Sequence, residues 1–168
     1  MSAFHPGAAP STTGTGRLAA TSNRAAGAQT ASAPGTRLPR VLVVDNDRDC
    51  AEGLATLIRL WGYDVRVAYS ATRAIRVTAT WPPDVALLDL AMPDVDGFEL
   101  AILLMRRPGL EQLALIAVTG LTEAKHRERA HQLGFEEYFL KPSNLSVLRS
   151  TLERMIRRAA ADNWRISY

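Results

Sequence analysis

The sequence predicts an α/β fold, a doubly wound five-stranded parallel sheet with helices on both faces. Three observations predict it. Short apolar runs, Val41–Val44 and Val85–Leu88 the clearest, read as strands buried on both sides. Amphipathic stretches with their own start and stop residues separate these runs, so strand and helix alternate. Three runs also end in reactive side chains: Asp45-Asn46-Asp47, Asp89, and Lys141-Pro142. The carboxyl ends of strands are where an open α/β sheet gathers its chemistry.

The elements follow in chain order. Val41–Val44 is the first strand. Asp47 or Asp49 caps a helix through about Trp61, with Leu54, Leu57, Ile58 and Trp61 inward at 3–4 spacing. Gly62 stops that helix. Val65–Val67 is a short strand. Ser70 caps the second helix, which lines Ala71, Ala74, Ile75 and Thr78 along one side. Pro82-Pro83 breaks the chain before the strand Val85–Leu88. A third helix runs from Gly97 to Met105, and Pro108-Gly109 ends that region. Ala114–Val118 is the fourth strand and leads to Thr119-Gly120. Thr122 caps a polar helix from Glu123 to about Leu133, closed by Gly134. Tyr138–Leu140 is the last strand. The last helix runs from about Asn144 to Ala160, with Leu145, Leu148, Leu152, Met155 and Ile156 inward.

A chain of 168 residues, 47% hydrophobic and 22% charged, suits one globular domain with a real core. Residues 1–38 differ in composition. Ala, Ser, Thr, Gly and Pro dominate there, and large apolar residues are almost limited to Phe4, Leu18 and Leu38. Such a segment cannot offset the entropy of ordering, so it is read as a disordered leader. Its acid-free, Arg-containing make-up also resembles an organellar transit peptide. A plain flexible tail, or a start assigned too far upstream, explains it more simply. The folded domain is expected over 39–160, followed by a short tail, 161–168.

The formal net charge is +3, but four arginines and no acid lie in residues 1–40. The rest holds 16 basic against 17 acidic residues. A near-neutral domain argues against direct nucleic-acid binding. The single cysteine, Cys50, excludes an intramolecular disulfide and is expected to be a half-buried, inert thiol. No apolar stretch approaches the roughly 20 residues that span a bilayer, and no apolar signal segment follows Met1. A cytoplasmic protein without a membrane partner is the expectation.

The reactive strand ends carry a resemblance. Val-Leu-Val-Val-Asp at 41–45, Leu-Leu-Asp-Leu-Ala-Met-Pro-Asp-Val-Asp-Gly at 87–97, Val-Thr-Gly at 118–120 and Leu-Lys-Pro at 140–142 resemble the receiver domain of two-component response regulators. The likeness covers about 120 residues and implies the flavodoxin-like receiver fold. It implies that Asp89 is the phosphoacceptor, attacking the phosphoryl group of a phosphohistidine. It implies that Asp45, position 46, Asp89 and the backbone carbonyl of Ala91 hold Mg²⁺, a hard cation that takes oxygen ligands. Lys141 then supplies fixed positive charge on the phosphoryl oxygens, next to a Lys-Pro bond that is typically cis in the family. Thr119 donates its hydroxyl to phosphorylated Asp89, Tyr138 is the aromatic switch that reports the state of Thr119, and Gly120 keeps the site open. Such a domain signals and is not a turnover enzyme.

The chain departs from the family pattern at Asn46, where an acid usually stands. Three outcomes are open. Asn46 ligates Mg²⁺ weakly through its carbonyl, Asp47 rotates in or acts through water, or the metal binds so poorly that the domain works unphosphorylated. Ala91 and Leu121, two residues after Asp89 and Thr119, cannot orient a hydrolytic water by a hydrogen bond. Slow loss of the phosphoryl group is therefore expected.

No output sequence follows the receiver, so a single-domain response regulator is the expected function. The implied donor is a histidine kinase or histidine phosphotransfer protein, and output is by contact with an unknown protein. The helix-strand-helix face carrying Lys125, Arg127, Arg129, His131, Arg149 and Arg154 is the expected contact surface, a solvated helix face being the plainer reading. Trp164, Ile166 and Tyr168 pack on the domain or on a partner. A phosphorylation-independent adaptor on the same fold is the alternative. A phosphatase using an aspartyl phosphate is disfavoured, because it needs an acid at the position of Ala91.

Overall fold

The structure, a computed structural model, describes residues 37–165. Its elements are β1 (Arg40–Val44), α1 (Arg48–Leu60), β2 (Asp64–Ala68), α2 (Ala71–Thr80), β3 (Val85–Leu88), α3 (Gly97–Met105), β4 (Ala114–Thr119), α4 (Ala124–Gln132), β5 (Phe135–Leu140) and α5 (Leu145–Arg165). The five strands form one parallel sheet in the order β2-β1-β3-β4-β5. The leader expected over 1–38 lies almost wholly outside the described residues.

Side-chain alternation along β1 builds two cores. Val41 and Val43 join one cluster with Ala51, Ala55 and Ile58 of α1 and Leu148, Leu152 and Met155 of α5. Leu42 and Val44 join the other, with Ala71 and Ala74 of α2, Phe98, Leu100 and Leu104 of α3, and Ala130 of α4. Helices α1 and α5 therefore cover one face, and α2, α3 and α4 the other. At the base of the sheet, the Arg37 guanidinium forks onto Asp84 at 2.7 and 2.8 Å, and the Arg40 amide donates to the same carboxylate at 2.7 Å.

Several local expectations are corrected. The innermost residues of α1 are Ala51, Ala55 and Ile58, while Leu54, Leu57 and Trp61 are half-buried. Small side chains let α1 lie close to the sheet. Cys50 is exposed, not half-buried. Glu123 rather than Thr122 is the N-cap of α4, and its side chain makes no capping bond. Its carboxylate is instead engaged by Lys125 at 2.7 Å. Leu145 is exposed at the start of α5, and α5 continues to Arg165 through part of the expected tail.

β5 begins at Phe135, three residues earlier than its sequence suggests. A bulge explains the miss. Leu115 pairs with Phe135 and Ile116 with Glu137, so Glu136 is an extra residue. One extra residue reverses the alternation. Phe135 and Tyr138, three apart, thereby both pack against the α2–α4 core.

The turn after β3 depends on a glycine. A Cβ at Gly97 would stand 2.2 Å from the backbone oxygen of Asp89. The helix α3, capped by the Asp96 side chain on the Glu99 amide at 2.8 Å, starts against that strand end only because no side chain intervenes. Gly97→Ala is expected to lower the unfolding free energy by about 1–3 kcal/mol, the usual cost of overpacking. Urea denaturation monitored by Trp fluorescence measures it.

Candidate functional site

Four strand ends meet at the carboxyl edge of the sheet. β1 and β3 are neighbours on either side of the point where the chain direction across the sheet reverses, so Asp45 and Asp89 follow them side by side. β4 ends in Thr119, which is fully buried. β5 leads to Lys141, whose amide donates to the Thr119 carbonyl at 2.9 Å. Strands lie roughly 4.8 Å apart, so β5 is about 10 Å from β3. Only a long side chain spans that gap. The Lys141 ammonium reaches both Asp45 Oδ2 at 2.7 Å and Asp89 Oδ2 at 2.8 Å. The Lys141–Pro142 peptide is cis, as the resemblance implied.

Both carboxylates are buried, and their surroundings set them apart. Burial pushes Asp45 up, and this outweighs Lys141 and the Asp47 amide, which donates at 2.9 Å. Burial also pushes Asp89 up, but the Ala91 amide at 2.9 Å, Lys141 and the Thr119 hydroxyl together hold its carboxyl below the usual range. Burial lowers Lys141, yet its two carboxylate partners raise it overall. Asp89 is therefore an ionised carboxylate at neutral pH, with an oriented donor on each oxygen.

The residues expected to hold a cation are only partly assembled. Asp45 and Asp89 converge, and the backbone of Ala91 lies against Asp89. Asn46 is exposed beside them. Asp47 is committed elsewhere: its Oδ1 accepts from the Asp49 and Cys50 amides at 3.0 and 3.1 Å as the cap of α1. Breaking that cap costs about 1 kcal/mol, which disfavours Asp47 as a substitute ligand. No group of three acids, histidines or cysteines that could hold a metal exists among the described residues. The donor set is nevertheless all oxygen, two of them from carboxylates, and fits a hard divalent cation that keeps waters. It carries one charge less than a set with an acid at position 46.

Thr119 and Tyr138 are linked. The Tyr138 hydroxyl donates to the Leu121 carbonyl at 2.7 Å, and the Leu121 amide donates to Thr119 Oγ1 at 3.4 Å. The Arg127 guanidinium of α4 lies 4.7 Å from the Tyr138 ring centroid. Sequence reasoning missed this cap on the aromatic, because an arginine in a polar helix carries no signal of what it covers. It also missed a cleft of about 410 Å³ beside α1, walled by Leu54, Leu57 and Leu145 and reaching Asp89 and Lys141. That cleft gives an approach to the acids from the α1 side.

Half of the basic residues on the expected contact face are paired within the chain. Lys125 pairs with Glu123 at 2.7 Å, Arg149 with Glu153 at 3.1 Å and Arg154 with Glu137 at 2.6 Å. The side chain of Trp164 and the residues Ile166 and Tyr168 lie outside what is described. No described helix is long and apolar enough to cross a membrane.

Residues 41–153 match the family model of the response regulator receiver domain. The chain is 30% identical over 122 residues to protein RcaC of Microchaete diplosiphon, covering 73% of this chain and 19% of that one. It is 32% identical over 123 residues to response regulator MprA of Mycobacterium sp. strain KMS, covering 73% and 53%. It thus spans about half the length, or less, of the curated relatives it matches. A response regulator receiver domain protein (CheY-like) from Methanospirillum hungatei JF-1 superposes with a TM-score of 0.68 at 25% identity, over 75% of this chain and 99% of that one.

Removing Lys141 leaves two buried carboxylates without a cation. Lys141→Met is expected to lower stability by roughly 3 kcal/mol at pH 7. The deficit shrinks as pH falls, because Asp45, raised above its ordinary 3.8, protonates first. In the wild type, the Asp89 contribution is present above its ordinary 3.8 and is lost as pH falls through its lowered value. The Lys141 contribution is complete below its ordinary 10.5 and is lost only as pH rises through its raised value. Urea unfolding of both proteins between pH 4 and pH 8 checks this, and a deficit independent of pH counts against it.

Proposed function

Because the chain belongs to the response regulator receiver domain family, we propose that Asp89 accepts a phosphoryl group and that the phosphorylated domain signals by protein–protein contact. The donor is the phosphohistidine of a histidine kinase or phosphotransfer protein. The observation that supports this reading most is the convergence of Asp45 and Asp89 on one ammonium, Lys141, at three strand ends.

The step balances simply. An Asp89 carboxylate oxygen forms a bond to phosphorus, the phosphorus–nitrogen bond of the phosphohistidine breaks, and its electron pair returns to the imidazole. Such a transfer needs positioning and charge neutralisation more than covalent assistance. The Ala91 amide holds one oxygen of Asp89 and Lys141 the other, so the carboxylate is oriented before the donor arrives. Lys141 shifts its charge to the phosphoryl oxygens once Asp89 carries the acyl phosphate. Thr119 then turns its hydroxyl to the same group. Asp45, Asn46, Asp89 and the Ala91 carbonyl hold Mg²⁺, which when bound neutralises phosphoryl charge. Tyr138 reads the position of Thr119 through Leu121. The exchange takes place in the cytoplasm, and the receiver itself contacts neither nucleic acid nor membrane.

A second reading, an adaptor that works without phosphorylation, is favoured by one observation: the third acid near the site is tied up as a helix cap and Asn46 adds no charge. Incubation with acetyl phosphate and Mg²⁺ separates the two. The intact mass is expected to rise by about 80 Da, the gain of one phosphoryl group on a carboxylate nucleophile, and Asp89→Ala is expected to abolish the gain. An unchanged mass for the wild type selects the adaptor.

Two further outcomes follow from single positions. Asn46→Asp is expected to tighten Mg²⁺ binding about tenfold, since it restores a carboxylate ligand. Fluorescence titration of both proteins measures it, and equal affinities refute the role of Asn46. With Ala91 and Leu121 unable to orient water, the acyl phosphate is expected to persist for many minutes in Mg²⁺. A half-life of seconds by mass spectrometry counts against that.

A further inference from the structure

α3 is apolar on nearly every side, yet it lies in a surface layer between α2 and α4. Phe98, Leu100, Ala101 and Leu104 turn to the core and are buried. Ile102 is half-buried, and Leu103 and Met105 keep 40% exposure each. Glu99, Ile102, Leu103 and Arg106 fall at i, i+3, i+4 and i+7, one outward stripe. A surface helix ordinarily carries charge along that stripe. Here its middle is aliphatic.

Arginines frame the aliphatic stretch. Arg73 and Arg76 stand on the exposed side of α2, which packs beside α3. Arg106 and Arg107 close the carboxyl end of α3. Among the described residues, none of these four forms an ion pair. Several arginines of α1 and α5 behave differently: Arg59 pairs with Glu52, Arg149 with Glu153, and Arg154 with Glu137. Helix stability does not account for Arg73 either. It sits in the first turn of α2, next to the positive end of the helix dipole, where a cation is disfavoured. Glu99 is the one acid on the outward stripe of α3.

We propose that the α2–α3 face is a docking surface for an acidic amphipathic helix of a partner protein. Its aliphatic side chains cover Ile102 and Leu103, and its carboxylates meet Arg73, Arg76 and Arg106. An apolar centre within a charged rim is the anatomy of a protein interface, and arginine is favoured there. A second copy of this face would oppose arginine to arginine. A nucleic acid would meet the arginines but leave the aliphatic centre against phosphates. This inference does not depend on phosphorylation of Asp89.

The test uses the ¹⁵N-labelled full chain and a synthetic helical peptide of about 18 residues, long enough to hold helix. The peptide places Leu at i, i+3, i+4 and i+7 and Glu on both flanks. Amide shifts are expected in α2 and α3. Leu103→Lys is expected to weaken binding about tenfold or more, as loss of a central contact does. Arg76→Glu with Arg106→Glu is expected to weaken it comparably, and to favour instead a peptide with Lys in place of Glu. All three positions are exposed, and thermal melts of the variants verify folding. No binding, shifts confined to α1 or to β5 and α5, or equal binding of the wild type by the Lys peptide or by duplex DNA overturns the proposal.

Discussion

Two buried carboxylates on adjacent strand ends repel each other, and one ammonium answers both. Burying either acid without a partner would cost more than one hydrogen bond returns. The parallel order of the sheet creates the problem by making β1 and β3 neighbours. The same order complicates the solution, because the cation comes from beyond β5, across β4. Lys141 is long enough, and its backbone is pinned to Thr119 by a bond continuing the β4–β5 ladder. The bulge at Glu136, which resets the facing of Tyr138, and the missing side chain at Gly97, which lets α3 begin against Asp89, serve the same local geometry.

The charge count of that site gives Asn46 its meaning. Two carboxylates and one ammonium leave a net charge of one negative. A second acid beside Asp45 would double it and make a cation harder to dispense with. Asp47 does not fill the gap, since its carboxylate already satisfies two amides at the start of α1. The site is thus closer to self-neutral than its family pattern, and on the proposed reading it depends more on Lys141 and less on the metal.

Much of the fold was legible in the sequence because local signals and burial agree there. Val85–Leu88 is apolar throughout and is buried throughout. Ser70, Gly62 and Gly97 stand where capping and close approach demand them. Asp45, Asp89, Thr119 and Lys141 were legible as a group because strand ends of such a sheet must converge. The failures share a cause: tertiary pairing overrode local pattern. The start of β5 was hidden by a bulge that breaks alternation. The inner face of α1 was misread because alanines, weak hydrophobic signals, make the closest contacts. Cys50 looked half-buried by position but lies on the exposed side of α1. Arg127 over Tyr138 is a contact between side chains far apart in sequence and had no local mark.

Helix α4 is rooted differently from α3 beside it, and this bears on how a domain of this kind divides its work. α4 buries only Ala130. Much of the rest of its hold comes from rings and cations: His126 stacked on Phe98, Arg129 over the same ring at 4.2 Å, and Arg127 over Tyr138. Such contacts are individually weak, and an element held by few buried apolar groups shifts at low cost. Thr119, Leu121 and Tyr138 lead from Asp89 to the underside of that helix, so a change of charge at Asp89 has a short physical path to the element least able to resist it. α3 is the opposite case. Phe98, Leu100, Ala101 and Leu104 fix it in the core. On the proposed readings, a partner docked on α3 would be held regardless of the state of Asp89, and one that contacts α4 would sense that state.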